Sequence, residues 1–171
     1  GQQVIGSGTG LVEVVDGADV TFHNVALTRM TGSTYAACLL YVQNATALLD
    51  DVELLDGYNG NHTVDDGGSA LYVASGAEVT MANNTLVRDN KPVGSSTSGA
   101  VFVQDAGHLT ITGAEIRGNG DALYGDGIYV QDGGELDIYS EGNVILVEDE
   151  IYLEAGSYAT VGAADGQSGN V

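Results

Sequence analysis

Among the residues able to do chemistry, the cations are the scarcest. Arg29, Arg88, Lys91 and Arg117 are the whole basic complement, against 24 Asp and Glu and a formal net charge of −20. Eliminative cleavage of a polysaccharide needs carboxylates that hold calcium beside a Lys or Arg that takes a proton. Arg88 and Arg117 stand on neighbouring units and could meet, yet neither falls in an acidic cluster along the sequence. Glycoside hydrolysis needs two or three carboxyl groups converging on one sugar. Asp50, Asp51, Asp65, Asp66, Asp121 and Asp126 are the candidates, but they occupy different loops, where solvated charges are expected. "VDDGG" and "VEDE" (Val147 to Glu150) lack the ligand spacing of a calcium loop, which leaves weak calcium binding at most. The expectation is no catalytic residue, no metal centre and no cofactor. Cys38 is the single cysteine, so no intrachain disulfide can form, and it reads as a small packed residue.

The elements that would position these groups emerge when the chain is laid on itself. Six segments share a frame: "VEVVDGADVTF", "LYVQNATALLD", "LYVASGAEVTM", "VFVQDAGHLTI", "IYVQDGGELDI" and "IYLEAGSYATV". Their equivalent residues Val14, Val42, Val73, Val103, Val130 and Leu153 are spaced by 28, 31, 30, 27 and 23 residues. In each unit a strand alternates apolar and outward residues, a turn follows, and a second strand alternates again. The inward residues of the second strand are read as Val20/Phe22, Leu48, Val79/Met81, Leu109/Ile111, Leu136/Ile138 and Ala159/Val161. A third short segment, clearest in "NNTLVRDN" and "GAEIRGN", points Leu86 and Ile116 inward. Loops rich in Gly, Ser and Asp lead to the next unit. With no helical period between strands, the pattern is a single coiled all-β solenoid. It has about six coils of three short strands, starting near residues 11, 39, 70, 100, 127 and 150, within one domain over 1–171. His23, His62 and His108 occupy unrelated columns of this repeat, which argues against zinc.

"SGAVFV…GHLTITGAEIRGN" and "GDGIYVQDGGELDI" resemble the repeats of right-handed parallel β-helix proteins, specifically the pectate-lyase-like repeats of surface and adhesin-like proteins. The resemblance runs from about Leu11 to Val161. It implies the fold; the same scaffold carries lyases, hydrolases, adhesins and filaments, so it does not imply one activity.

In such a fold equivalent residues stack about 4.8 Å apart, and every column becomes a ladder. The column after the first turn reads Asp19, Ala47, Glu78, His108, Glu135 and Tyr158, with no two carboxylates adjacent. Asp105 and Asp132 stack directly, a repulsion that needs relief. The most unusual column is Glu13, Tyr41, Tyr72, Phe102, Tyr129 and Tyr152. Its five aromatics form an outward ladder about 19 Å long, which either stabilises the coil stack by ring stacking alone or is an exposed binding or assembly stripe for another protomer, for sugar rings or for a loop of the chain itself. Asn44, Asn61 and Asn83 begin N-x-T sequons at turns, where glycans could project.

The acidic field excludes nucleic acid and anionic membranes as partners. No run approaches the roughly 18 apolar residues of a membrane span. Abundant acid with almost no lysine fits a salty or extracellular setting, where screening mutes self-repulsion. The glycine-rich segments 1–10 and 162–171 offer no polar cap for the end coils: either the chain is a fragment of a longer solenoid, or these segments pair with neighbouring protomers that stack end to end. The function expected is a non-enzymatic extracellular structural or surface protein that assembles end to end into a filament, sheath or adhesin stalk. The alternatives are a glycan-binding adhesin module and a polysaccharide lyase or hydrolase.

Overall fold

The computed structural model describes residues 10–29, 38–59, 68–92, 99–120, 125–140, 143 and 145–163, and every structural statement below concerns these. They form strands joined by turns and no helix. The first sheet stacks Gly10–Val15, Cys38–Gln43, Leu71–Val73, Val101–Val103, Ile128–Val130 and Ile151–Leu153 in chain order. The second stacks Asp19–His23, Thr46–Asp50, Glu78–Ala82, His108–Ile111, Glu135–Ser140 and Tyr158–Ala163. Ala26–Thr28, Glu53–Leu55, Thr85–Arg88, Ala114–Arg117 and Ile145–Val147 make the third, and Tyr58–Asn59 pairs with Lys91–Pro92 beside it. Every pairing is parallel and joins a strand to the equivalent strand of the next unit. The all-β parallel solenoid expected from the repeat is therefore present. Five coils contribute all three strands, and the sixth contributes two among the described residues.

Alternation explains the core. Leu40, Val42, Leu71, Val73, Val101, Val103, Ile128 and Val130 of the first sheet are all fully buried, as are Leu49, Met81, Leu109 and Ile111 of the second. Leu54, Val87 and Ile116 close it from the third. Each turn between the first two sheets places a residue in the left-handed region, Gly17, Asn44, Gly76, Ala106, Gly133 and Gly156, with Asp16 beside Gly17 in the first. Glycine and asparagine suit that conformation, whereas Ala106, at φ 56°, adopts it without that advantage.

Three details of the expected arrangement are corrected. In the second coil Asn44 follows Val42 by two residues, where the other coils need three, so that turn is one residue shorter. Thr46 and not Ala47 thus stands between Asp19 and Glu78, and Ala47 and Leu49 point inward in place of Leu48. In the third sheet Val87 points inward and Leu86 outward, opposite Glu53 and Glu115. The buried partner of Val87 on that face is Thr85, whose hydroxyl donates to Leu49 O and Ala82 O, both at 2.9 Å. Ala159 and Val161 stand in the inner columns yet are exposed, because no described rung covers them. Asp105 and Asp132 do not collide: each lies over the glycine of the next coil, and a Cβ at Gly133 or Gly156 would clash with Asp105 Oδ1 or Asp132 Oδ1 respectively.

Buried polar groups are matched between coils. Asn90 Oδ1 accepts from Gly57 N at 2.7 Å, and its Nδ2 donates to Leu54 O at 2.9 Å. One coil on, Asn119 Oδ1 accepts from Asn90 N at 3.0 Å, and its Nδ2 donates to Val87 O at 3.0 Å. Asp149 ends the row by accepting from Asn119 N and Gly118 N. Asn90 is wholly buried, so its loss leaves the Gly57 N–H and the Leu54 carbonyl without that partner in a dry site. Asn90→Ala is expected to lower stability by about 2–4 kcal/mol, read as a lower urea midpoint with unchanged slope.

Candidate functional site

The five aromatics are in register, each paired with the next across the first sheet. Tyr41 meets Tyr72 edge-on at 5.2 Å between centroids, and Tyr72 meets Phe102 edge-on at 5.0 Å. Phe102 and Tyr129 stack at 5.5 Å, as do Tyr129 and Tyr152 at 5.2 Å. These are favourable ring geometries. The ladder forms a cluster of its own with Cys38 and Ala74, separate from the core inside the coils.

Its exposure departs from expectation. Phe102 is 0 % exposed, Tyr129 1 % and Tyr72 7 %, while Tyr41 and Tyr152 are half-buried. The outward side of this strand is thus covered within the single chain. Alternation along the sequence gives the side of the sheet on which a ring lies, and nothing in that period says what lies over it. The surroundings are correspondingly dry: burial pushes the Cys38 thiol far up, and it raises the Tyr41 hydroxyl, with Cys38 and Glu13 adding smaller repulsions. At the far end the Tyr129 hydroxyl donates to Glu154 Oε1, and Glu154 Oε2 accepts from Asp132 N at 2.9 Å.

The carboxylates engage structural donors. Asp50 accepts from Asn83 Nδ2, and its Oδ2 lies 2.8 Å from His23 Nδ1. These contacts, with the Asn83 hydrogen bond leading and His23 adding to it, hold the Asp50 carboxyl below its usual range. Glu150 Oε2 accepts from Gly125 N at 2.9 Å, and His108 Nε2 lies 3.0 Å from Asp137 Oδ2. Arg88 and Arg117 are direct neighbours in the third sheet, and each pairs with a carboxylate of its own coil, Asp89 and Glu115. Arg29 lies over the Tyr58 ring at 4.5 Å. Asp51 is an exposed left-handed turn residue. Asp65, Asp66, Asp121, His62 and the sequon Asn61 lie outside the described residues. Among those described, no three His, Cys, Asp or Glu side chains come together as a metal site.

Both described sequons sit at exposed left-handed turns, with φ 47° at Asn44 and 55° at Asn83. They differ in engagement. Asn83 binds Asp50 through the nitrogen a glycan would occupy, and its Thr85 is fully buried, whereas Thr46 of the Asn44 sequon is exposed.

The sixth coil, expected to lack a cap, carries exposed apolar side chains that the repeat assigns to buried columns. Leu153 is 44 % exposed and Val161 70 %, though both continue columns that are covered elsewhere, and Tyr158, 67 % exposed, ends the outward column of Glu78 and Glu135. Among the described residues no strand pairs with Tyr158–Ala163 on that side.

Because the inner rungs of the ladder are covered, Phe102→Ala and Tyr129→Ala are each expected to lower stability by about 3–5 kcal/mol in urea titration, with a smaller loss for half-buried Tyr152→Ala. The Asp50 contribution has a defined sign: a lowered carboxyl stabilises above the ordinary carboxylate range, and that contribution is lost as pH falls through the lowered value. The urea-midpoint difference between the wild type and Asn83→Ala should therefore be larger at neutral pH than near about pH 2.

Comparison with curated proteins and with solved structures gave no match. No described helix is long and apolar enough to cross a membrane. A family model, described as the right handed beta helix region, matches residues 9–161. That span takes in nearly the whole coil stack and supplies the hand of the coil, so the chain belongs to the right-handed β-helix family.

Proposed function

We propose that the protein is a non-enzymatic, extracellular structural or surface protein that self-assembles through the ends of its coil stack, as a filament, sheath or adhesin stalk. The observation that carries this reading is the open sixth coil. Leu153, Tyr158 and Val161 present apolar surface, and Tyr158–Ala163 is an edge strand. Natural sheets shield such edges with charge, proline or a cover, and this strand carries none of the first two. Its pairing partner is a second copy of the same solenoid. The engagement of Asp50, Asp149, Glu150 and Glu154 in structural hydrogen bonds favours a non-catalytic reading. Glycan binding by the aromatic ladder draws little support from rings whose faces are covered.

A net charge of −20 opposes the approach of copies, and salt screens that repulsion. Raising the salt from about 0.05 to about 1 M should shift sedimentation velocity profiles from monomer to larger species. Val161→Asp should hold the protein monomeric at the higher salt, with an unfolding midpoint within about 0.5 kcal/mol of the wild type, since the site is exposed in the monomer. Monodisperse wild-type protein across the whole range would contradict the proposal.

A further inference from the structure

We infer that the copies join head to tail, the first coil of one molecule stacking on the sixth coil of the next in the register the chain uses internally. This rests on the assembly reading above and adds its polarity, its register and the contacts that select them.

The charge distribution is the first argument. Ile151–Leu153 and Tyr158–Ala163 contain no Asp, Glu, Lys, Arg or His, in a chain with 24 acidic residues. The corresponding strands of the first coil carry Glu13, Asp19 and His23. Continuing the columns sets Tyr152 against Glu13, Tyr158 against Asp19, Thr160 against Thr21, Ala159 against Val20 and Val161 against Phe22. The polar pairings have precedents inside the chain: Glu13 already faces Tyr41, Glu135 faces Tyr158, and Thr80 faces Thr110. No carboxylate meets another across the joint. Joining two first coils would instead bring Glu13, Asp16 and Asp19 of both copies to one surface, at a separation where like charges repel.

The backbone supplies the second argument, because its rows of hydrogen bonds have a direction. At the first turn, Gly17 N donates to Asn44 O at 2.7 Å, Gly76 N to Ala106 O at 2.8 Å, Ala106 N to Gly133 O at 3.1 Å and Gly133 N to Gly156 O at 3.3 Å. The next donor in that row is Gly156 N, and the carbonyl at the row's other end is that of Gly17. The neighbouring row runs oppositely: His108 N donates to Ala77 O, Glu135 N to Gly107 O and Tyr158 N to Gly134 O. It continues from Asp19 N of the incoming copy to Ser157 O. Head-to-tail stacking matches donor with acceptor in both rows. A two-fold joint between sixth coils sets Gly156 N against its own copy, donor facing donor, and reverses the parallel pairing of every sheet. The head-to-tail contact uses the first and second sheets, the two to which the sixth coil contributes strands among the described residues. The contact joins two different faces, so repeating it adds copies without closing.

Thr21 and Thr160 are both exposed in the monomer and would be direct neighbours at the joint, within the Cα separation that a disulfide spans. The test is Thr21→Cys with Thr160→Cys in one chain, each single variant, and the wild type, assembled at high salt, oxidised, and run on a non-reducing gel. Cys38 is buried and stays silent, which the wild-type lane checks. The expected result is a ladder of covalent dimers, trimers and longer species from the double variant alone. Dimers from Thr160→Cys alone would mean a two-fold joint and overturn the inference. Sedimenting assemblies that yield no ladder would overturn the register and polarity while leaving self-assembly standing. Absence of assemblies in the wild type would overturn both.

Discussion

In-register parallel stacking is the constraint from which the rest of the structure follows. When every strand pairs with the equivalent strand of the next coil, a residue's closest neighbours across the sheet are those of its own column, about 4.8 Å away. Each column must then tolerate itself. The outer columns observe this: Glu53, Leu86, Glu115 and Leu146 alternate acid with leucine, and Asp19, Thr46, Glu78, His108, Glu135 and Tyr158 contain no adjacent carboxylates. Where like residues do stack, a specific device relieves them. The Asp105 and Asp132 side chains each occupy the space left by a glycine one coil on, and Arg88 and Arg117 each hold a carboxylate of their own coil.

Two dry clusters and a row of buried amides make the stack stable. The core inside the coils is aliphatic, and the aromatic ladder forms a second cluster across the first sheet. Between coils, Asn90 and Asn119 satisfy backbone groups that the third sheet leaves at its corner, and Gln104, Gln131 and Glu154 do the same at the first turn, accepting from Ser75 N, Asp105 N and Asp132 N. A side chain that bridges to the next coil serves only while that coil is present, so these bonds couple each rung to its neighbours.

The repeat was legible because apolar alternation and turn residues survive variable loops: the fold, the columns of the first sheet and the five aligned aromatics all follow from it. What escaped was governed by details that the period does not encode. A turn shortened by one residue at Asn44 moved Ala47 and Leu49 inward, and a buried threonine at position 85 hid which of Leu86 and Val87 faced the core. The burial of Phe102 and Tyr129 depends on what lies above the sheet, which lies beyond any pattern within the strand. The "IRGN" asparagine was visible as part of a motif, but its role needs the neighbouring coil to be in place.

The same stacking rule gives the sixth coil its meaning: a rung with covered columns on one side and exposed Leu153, Tyr158 and Val161 on the other is a template for another rung. Hydrogen exchange followed at single-residue level in the monomer at low salt and in the assembly at high salt tests this most directly. The account predicts that amides of Asp19–His23 and Tyr158–Ala163 gain protection together, while the inner coils are unchanged. Protection gained instead on the outer face of the third sheet, with both end rungs still exchanging as in the monomer, would contradict it.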